Sequence, residues 1–188
     1  MSTDLKNKLD RNIWITRKCR INASERLLST AKYIDVLNVC YSIFIILVSL
    51  ISLVDHNDNL SLVSLIGSIA LTISIIYANT TGLKERASAL KQNYIGLQIL
   101  LDKLACTTDS QTKEILDISE QYAKLLEGSE NHLNVDLYKA KIDSPSEDFK
   151  LNWKELICWY AYKGWNFVWR IGLFLIPIVF LVWYWFVR

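Results

Sequence analysis

Three stretches of this chain are apolar and free of charge: Val36–Val54, Leu60–Ala78 and Ile171–Val187. The first two hold 19 residues each and the third 17. At a helical rise of about 1.5 Å per residue, 19 residues reach about 28 Å, close to the hydrocarbon thickness of a bilayer. The pattern predicts an all-α membrane protein in five segments. These are a polar leader helix over 1–35, a transmembrane helical hairpin over 36–78, and a cytoplasmic antiparallel coiled-coil hairpin over 79–142. A linker and interfacial helix over 143–167 then lead to a third, C-terminal transmembrane helix over 168–188.

Polar positions inside the first two spans are not scattered. In the first, Asp35, Asn38, Ser42, Ser49 and Ser52 follow helical steps of 3 and 4 once Ile45 is counted between them, so they share one face. In the second, Ser61, Ser64, Gly67, Ser68, Thr72 and Ser74 fall within one half of the helical wheel, and the other half is aliphatic. Small hydroxylated faces let helices approach and hydrogen-bond across the contact; they also line wet passages. The candidate pore-lining or helix-packing set is therefore Asn38, Ser42, Ser49, Ser52, Ser61, Ser64, Ser68 and Thr72.

Beyond the hairpin, Leu83, Ala87, Leu90, Tyr94, Leu97, Leu101 and Leu104 alternate steps of 4 and 3, a seam about three heptads long. Cys106–Ser110 breaks it, and Thr108 and Gln111 are spaced as a capping box for a second helix with Ile115, Ile118, Tyr122 and Leu125 as its seam. Neither helix can bury its seam alone. The seams must meet each other, the leader or neighbouring subunits, and the Leu83–Leu104 set is the candidate oligomerisation surface. Further on, Asp143–Asp148 reads as a linker, and Phe149, Trp153, Leu156, Ile157 and Tyr160 recur at helical spacing with lysines between them, as an interfacial helix does.

Charge sets the orientation. The leader carries eight Lys and Arg, the Asp55–Asn59 loop none, and residues 79–168 eleven. By the positive-inside bias the leader and the long segment are cytoplasmic and the tight loop is outside. Arg17, Lys18 and Arg20 form a basic cluster that reads either as a contact with anionic headgroups or an anionic ligand, or as a solvated face. Around the third segment, Trp165, Trp169 and Arg170 mark one membrane interface, and Trp183 and Trp185 the other. A true span would place Arg188 outside; a re-entrant or interfacial helix is the other reading, with Pro177 at its middle.

Catalytic chemistry finds little purchase. The two histidines, His56 and His132, are far apart, and no HExxH, GxSxG or glycine-rich phosphate loop is present. The four cysteines are scattered without CxxC spacing and are expected reduced. No enzymatic activity, cofactor, metal or direct nucleic-acid contact is expected.

The leader motifs Ile15-Thr-Arg-Lys-Cys-Arg20 and Ala23-Ser-Glu-Arg-Leu27, the tight hairpin and the Leu83-x-Glu85-Arg86 start of the coiled coil together resemble the SLATT domain, a bacterial family of two-span membrane effectors in conflict systems. The resemblance covers roughly residues 1–140, and the third apolar segment departs from the two-span plan. It implies a pore-forming or membrane-disrupting antiviral effector, acting by abortive infection and held silent until infection. The implied partners are membrane lipid, further copies of the chain, and a companion sensor: a nucleotide second-messenger synthase, a nucleotide-sensing domain or a reverse transcriptase. The other function carried forward is a non-conducting membrane anchor or regulatory subunit that recruits a soluble partner through its coiled coil.

Overall fold

The computed structural model describes residues 2–108, 110–144 and 149–187. Residues 145–148 of the expected linker, and Arg188, lie outside that set. The described residues are 89% helical, with no strand among them. Among the described residues six α-helices follow in order: α1 (Ser2–Asp55), α2 (Asp58–Thr80), α3 (Leu83–Cys106), α4 (Thr112–Glu127), α5 (Asn134–Ile142) and α6 (Trp153–Val187). Stretches of α1, α2 and α6 are long and apolar enough to cross a membrane. The helices form two compact units, Met1–Leu28 with Lys84–Tyr162, and Ser29–Leu83 with Lys163–Arg188.

The first unit is a helical bundle built on the leader. Leu9 and Ile13 of α1 pack with Leu97, Leu100 and Leu104 of α3 and with Ile115 and Ile118 of α4, while Leu101, Tyr122 and Leu125 lie against this core. Helices α3 and α4 are antiparallel, as expected: Lys103 Nζ donates to Gln121 Oε1, and Asn93 Nδ2 to the Leu125 carbonyl one end away. Gly96 makes the approach possible, because a Cβ there would meet the Leu125 methyls at 3.3 Å. The Gln111 side chain reaches back to the Thr108 backbone N–H at 2.7 Å, which is half of the expected capping box. Trp14 stacks on Phe149 with ring centroids 5.7 Å apart.

Two expectations need correction here. The Leu83–Leu104 seam, expected to join subunits, is largely filled from within the chain: Leu90, Leu97 and Leu104 are buried, and the leader and α4 supply the partners of Leu97 and Leu104. Tyr94 and Leu101 are half-buried in the same stripe, and Ala87 is buried. Second, the helical pair is a trio. The chain leaves α4 at Gly128 and starts α5 at Asn134, where Asp136 Oδ2 accepts the Leu133 N–H at 3.0 Å as an N-terminal cap.

Buried titratable groups make this unit sensitive to pH. Burial, reinforced by the nearby Asp136 carboxylate, pushes the Cys19 thiol up to about 12. Burial pushes the His132 imidazole below its ordinary value of 6.5 against the opposing pull of the Asp136 carboxylate, and Arg20 adds to the lowering. The unfolded chain loses the Cys19 proton from about pH 9.0 upward while the folded chain holds it, so stability falls as pH rises from there toward 12. Below about pH 6.5 the unfolded histidine gains a proton that the folded one resists, so stability also falls. Thiol labelling at pH 8 should modify the exposed Cys106 and Cys158 and leave Cys19 unmodified until the bundle unfolds.

In the second unit the α1–α2 connection is two residues long. His56 takes a left-handed φ of 49°, Ser52 Oγ donates to the Asn57 carbonyl, and Asn57 Oδ1 caps α2 by accepting from Asn59 N and Leu60 N. Helix α2 ends where Gly82 adopts φ 57°, a conformation that only glycine takes without strain. Interfacial segment and third span are one continuous helix, α6, that includes Pro177. Its apolar half runs beside α1 for the whole hairpin length. Tyr33 Oη donates to the Arg170 carbonyl, Tyr41 Oη to the Leu173 carbonyl, Phe44 meets Phe180 edge-on at 5.6 Å, and Tyr184 Oη donates to Asp55 Oδ2. Whatever slab the hairpin crosses, α6 crosses as well, which favours a span over a re-entrant helix.

Candidate functional site

Where α1, α2 and α6 of the second unit diverge they leave a groove of about 400 Å³. Leu37, Asn38, Tyr41 and Ile45 form one wall, Ser64, Gly67 and Ser74 the opposite one, and Leu173 closes the side. The divergence follows from side-chain size: glycine, alanine and serine on α2 face tyrosine, phenylalanine and isoleucine on α1. Beyond Val48, which is 2% exposed, the helices close up through the buried Ser52 and Leu60.

This geometry divides the predicted polar set. Asn38 and Ser64 line the groove. Ser52 serves the tight turn instead. Ser61 and Thr72 are exposed on α2, with Ser68 half-exposed between them, and Ser49 is exposed on α1. No helix-to-helix serine bond is formed by Ser42, Ser49, Ser64, Ser68 or Thr72: each hydroxyl donates to a carbonyl three or four residues earlier in its own helix, at 2.7–2.9 Å. A hydroxyl bonded this way tolerates lipid, and it keeps an oxygen lone pair available to water or an ion.

The predicted interface residues also separate. Trp165, Trp169, Trp183 and Trp185 are exposed on α6, as an aromatic girdle requires. Arg170 is anchored rather than free: its guanidinium donates to Ser29 Oγ and Thr30 Oγ1 at 3.3 Å and lies over the Tyr33 ring, 5.1 Å from its centroid. Arg20 is a correction. It is 3% exposed and donates to the Leu125 carbonyl at the end of α4, so it belongs to the bundle core and not to a headgroup patch. Arg17 and Lys18 are half-buried beside it.

Sequence reasoning missed one constellation altogether. Asp136, 3% exposed, accepts two hydrogen bonds from Arg26 at 2.9 and 3.0 Å, and its backbone carbonyl accepts from the buried Asn22 at 3.0 Å. The available signal was an aspartate three residues into a short helix, the position of a reach-back cap.

Three helices long and apolar enough to cross a membrane, two of them joined by a tight turn and all continuous in sequence with a charged bundle, describe a membrane protein. Comparison with known proteins agrees with that description. Neither a curated protein nor a solved structure matches the chain. A family profile does, over residues 2–183, so the third apolar helix lies inside the family's domain and the resemblance extends well past residue 140. With that match covering nearly its whole length, the chain belongs to SLATT_5, the SMODS and SLOG-associating 2TM effector domain family 5.

Proposed function

We propose that this chain is a pore-forming effector of a bacterial antiviral system, which assembles in the inner membrane when a companion sensor signals and depolarises the cell. The observation that carries the reading is membership of an effector family associated with SMODS and SLOG domains, in a chain with three helices long and apolar enough to cross a bilayer. The N-terminus and the helical bundle face the cytoplasm, on the evidence of eight and eleven basic residues against none in the Asp55–Asn59 loop. The chain performs no reaction of its own. Copies meet through the spans, since the coiled-coil seam is filled internally. The Ser61–Ser68–Thr72 line on α2, turned away from the groove, is the surface offered to the pathway.

A membrane-potential dye in cells expressing the chain with its sensor tests this directly. The wild type should collapse the potential within minutes of triggering. Replacing Ser61, Ser68 and Thr72 together by Leu should leave the protein inserted and the potential intact. A fully depolarising triple variant would remove this face from any conducting role.

The second reading, a non-conducting anchor, draws on one observation: the hydroxyls of Ser42, Ser49, Ser64, Ser68 and Thr72 are already bonded to their own helices, so these need no water to satisfy them. A wild type that is triggered and leaves the potential unchanged would establish it. For topology, maleimide applied from outside should label an Asn57→Cys variant in a cysteine-free background, and labelling only after permeabilisation would invert the assignment.

A further inference from the structure

Independently of conduction, we propose that the groove of the second unit is a binding site for one membrane phospholipid, an acyl chain lying along the groove and the phosphate held at Arg170. The groove runs on α1 from Leu37 to Val48. Eleven helical steps make about 16 Å, roughly half of a 30 Å hydrocarbon core, which is the depth of one leaflet. It stops at Val48, where the helices close. A transmembrane helix from a second copy needs the full thickness and a width of about 10 Å, whereas about 400 Å³ over this length leaves a channel only about 5 Å across, so it fits neither dimension. An acyl chain of one leaflet fits both.

The open end carries the matching chemistry. Asn38 lies at that end of the groove, and its carboxamide makes no hydrogen bond within the described chain, leaving donors at the depth of a lipid's ester linkages. One turn further out on both helices, Tyr33 and Arg170 meet. The Arg170 guanidinium has two neutral hydroxyl acceptors at 3.3 Å and no carboxylate partner among the described residues. With five N–H donors, it retains capacity for a phosphate. Lys32 is exposed at the same level; Asp35, the one acid there, is engaged within the chain. Lys32, Asp35 and Arg170 together leave this end cationic. Phosphate therefore stabilises occupancy in a way that an uncharged lipid does not.

Native mass spectrometry of the full-length protein in detergent, titrated with phosphatidylglycerol and with diacylglycerol of the same acyl chains, tests the assignment. The wild type should carry one phospholipid per chain and bind it about tenfold more tightly than diacylglycerol, the equivalent of one charge-assisted hydrogen bond. Arg170→Gln should bind both lipids alike, and Arg170→Lys should keep most of the preference. Gly67→Leu should lose both lipids, since its Cβ would start in ordinary contact with Ile45 at 3.5 Å and the longer side chain would fill the groove. Should Gly67→Leu fail to insert, the comparison of Arg170→Gln with the wild type decides alone. Equal binding of the two lipids by the wild type, or an unchanged preference in Arg170→Gln, overturns the proposal. So does efficient cross-linking of Ser74→Cys to a second copy in a cysteine-free background, because the groove would then be filled by protein.

Discussion

Leu97→Asp should abolish the cooperative unfolding transition of the helical bundle. Leu97 is 0% exposed and sits among Leu9, Ile13, Leu104, Ile115 and Ile118, contributed by three helices. Truncation to alanine at such a site costs about 2–5 kcal/mol. A carboxylate placed there loses the same contacts and adds several kcal/mol of uncompensated desolvation. Domains of this size have a total stability of about 5–15 kcal/mol, so the charged variant should populate an unfolded bundle at ambient temperature. Ile99→Asp is the control two residues away: its side chain is 52% exposed, and surface changes there usually lie within about 0.5 kcal/mol. Thermal melts by circular dichroism and amide exchange across α3 and α4 would separate the two. Equal behaviour of Leu97→Asp and Ile99→Asp would mean that the seam does not form the chain's own core. The consequence for assembly is practical. A charge in the seam also breaks cross-linking ladders, through unfolding, so seam variants cannot report on subunit contacts.

Much of this architecture could be read from local periodicity. Charge-free stretches of 19 residues have one stable environment, and a five-residue gap between them allows only a tight hairpin. The α3 and α4 stripes follow the 3.6-residue repeat closely enough that their antiparallel pairing was predictable. What periodicity does not encode is which surface a stripe meets. The seam from Leu83 to Leu104 looked like an oligomerisation surface because the leader's own stripe is hard to see: Leu9 and Ile13 are separated by Asp10, Arg11 and Asn12 and followed by Trp14 and Ile15. Further along the leader Leu28 is exposed, while Cys19, Ala23 and Leu27 are buried.

Polar residues were the harder problem. Arg20 and Asp136 read as surface by type, since charged groups are rarely buried without a partner, and their partners lie more than a hundred positions away. For the candidate site the hydroxyl faces were legible as faces. Their division between groove and exterior was not, because it depends on where α6 packs, and no helical wheel of α1 or α2 contains that information. Gly67 and Ala70 against Tyr41 and Phe44 form the groove through a mismatch of volumes between neighbours distant in sequence.

The Arg26–Asp136 pair should prove the most costly polar contact to break. Asp136 is 3% exposed on its side chain and Arg26 25%, and the two are joined by two hydrogen bonds. Arg26→Ala leaves a buried carboxylate with only the Leu133 N–H to satisfy it. Removing one member of a buried pair destabilises by about 3–5 kcal/mol, whereas exposed pairs such as Lys139–Glu25 contribute about 0–1 kcal/mol. Asp136→Ala also removes the cap of α5, so amide exchange should rise first over Asn134–Ile142. A combined Arg26→Met, Asp136→Leu variant should recover most of the stability, because apolar replacement of a whole buried pair is often neutral or better. That recovery separates the two explanations of the single-variant loss. If the loss reflects an uncompensated charge, the double variant melts near the wild type. If α5 docks only through the directional bonds of this pair, the double variant remains as unstable as either single one, and α5 exchanges freely while α3 and α4 stay protected.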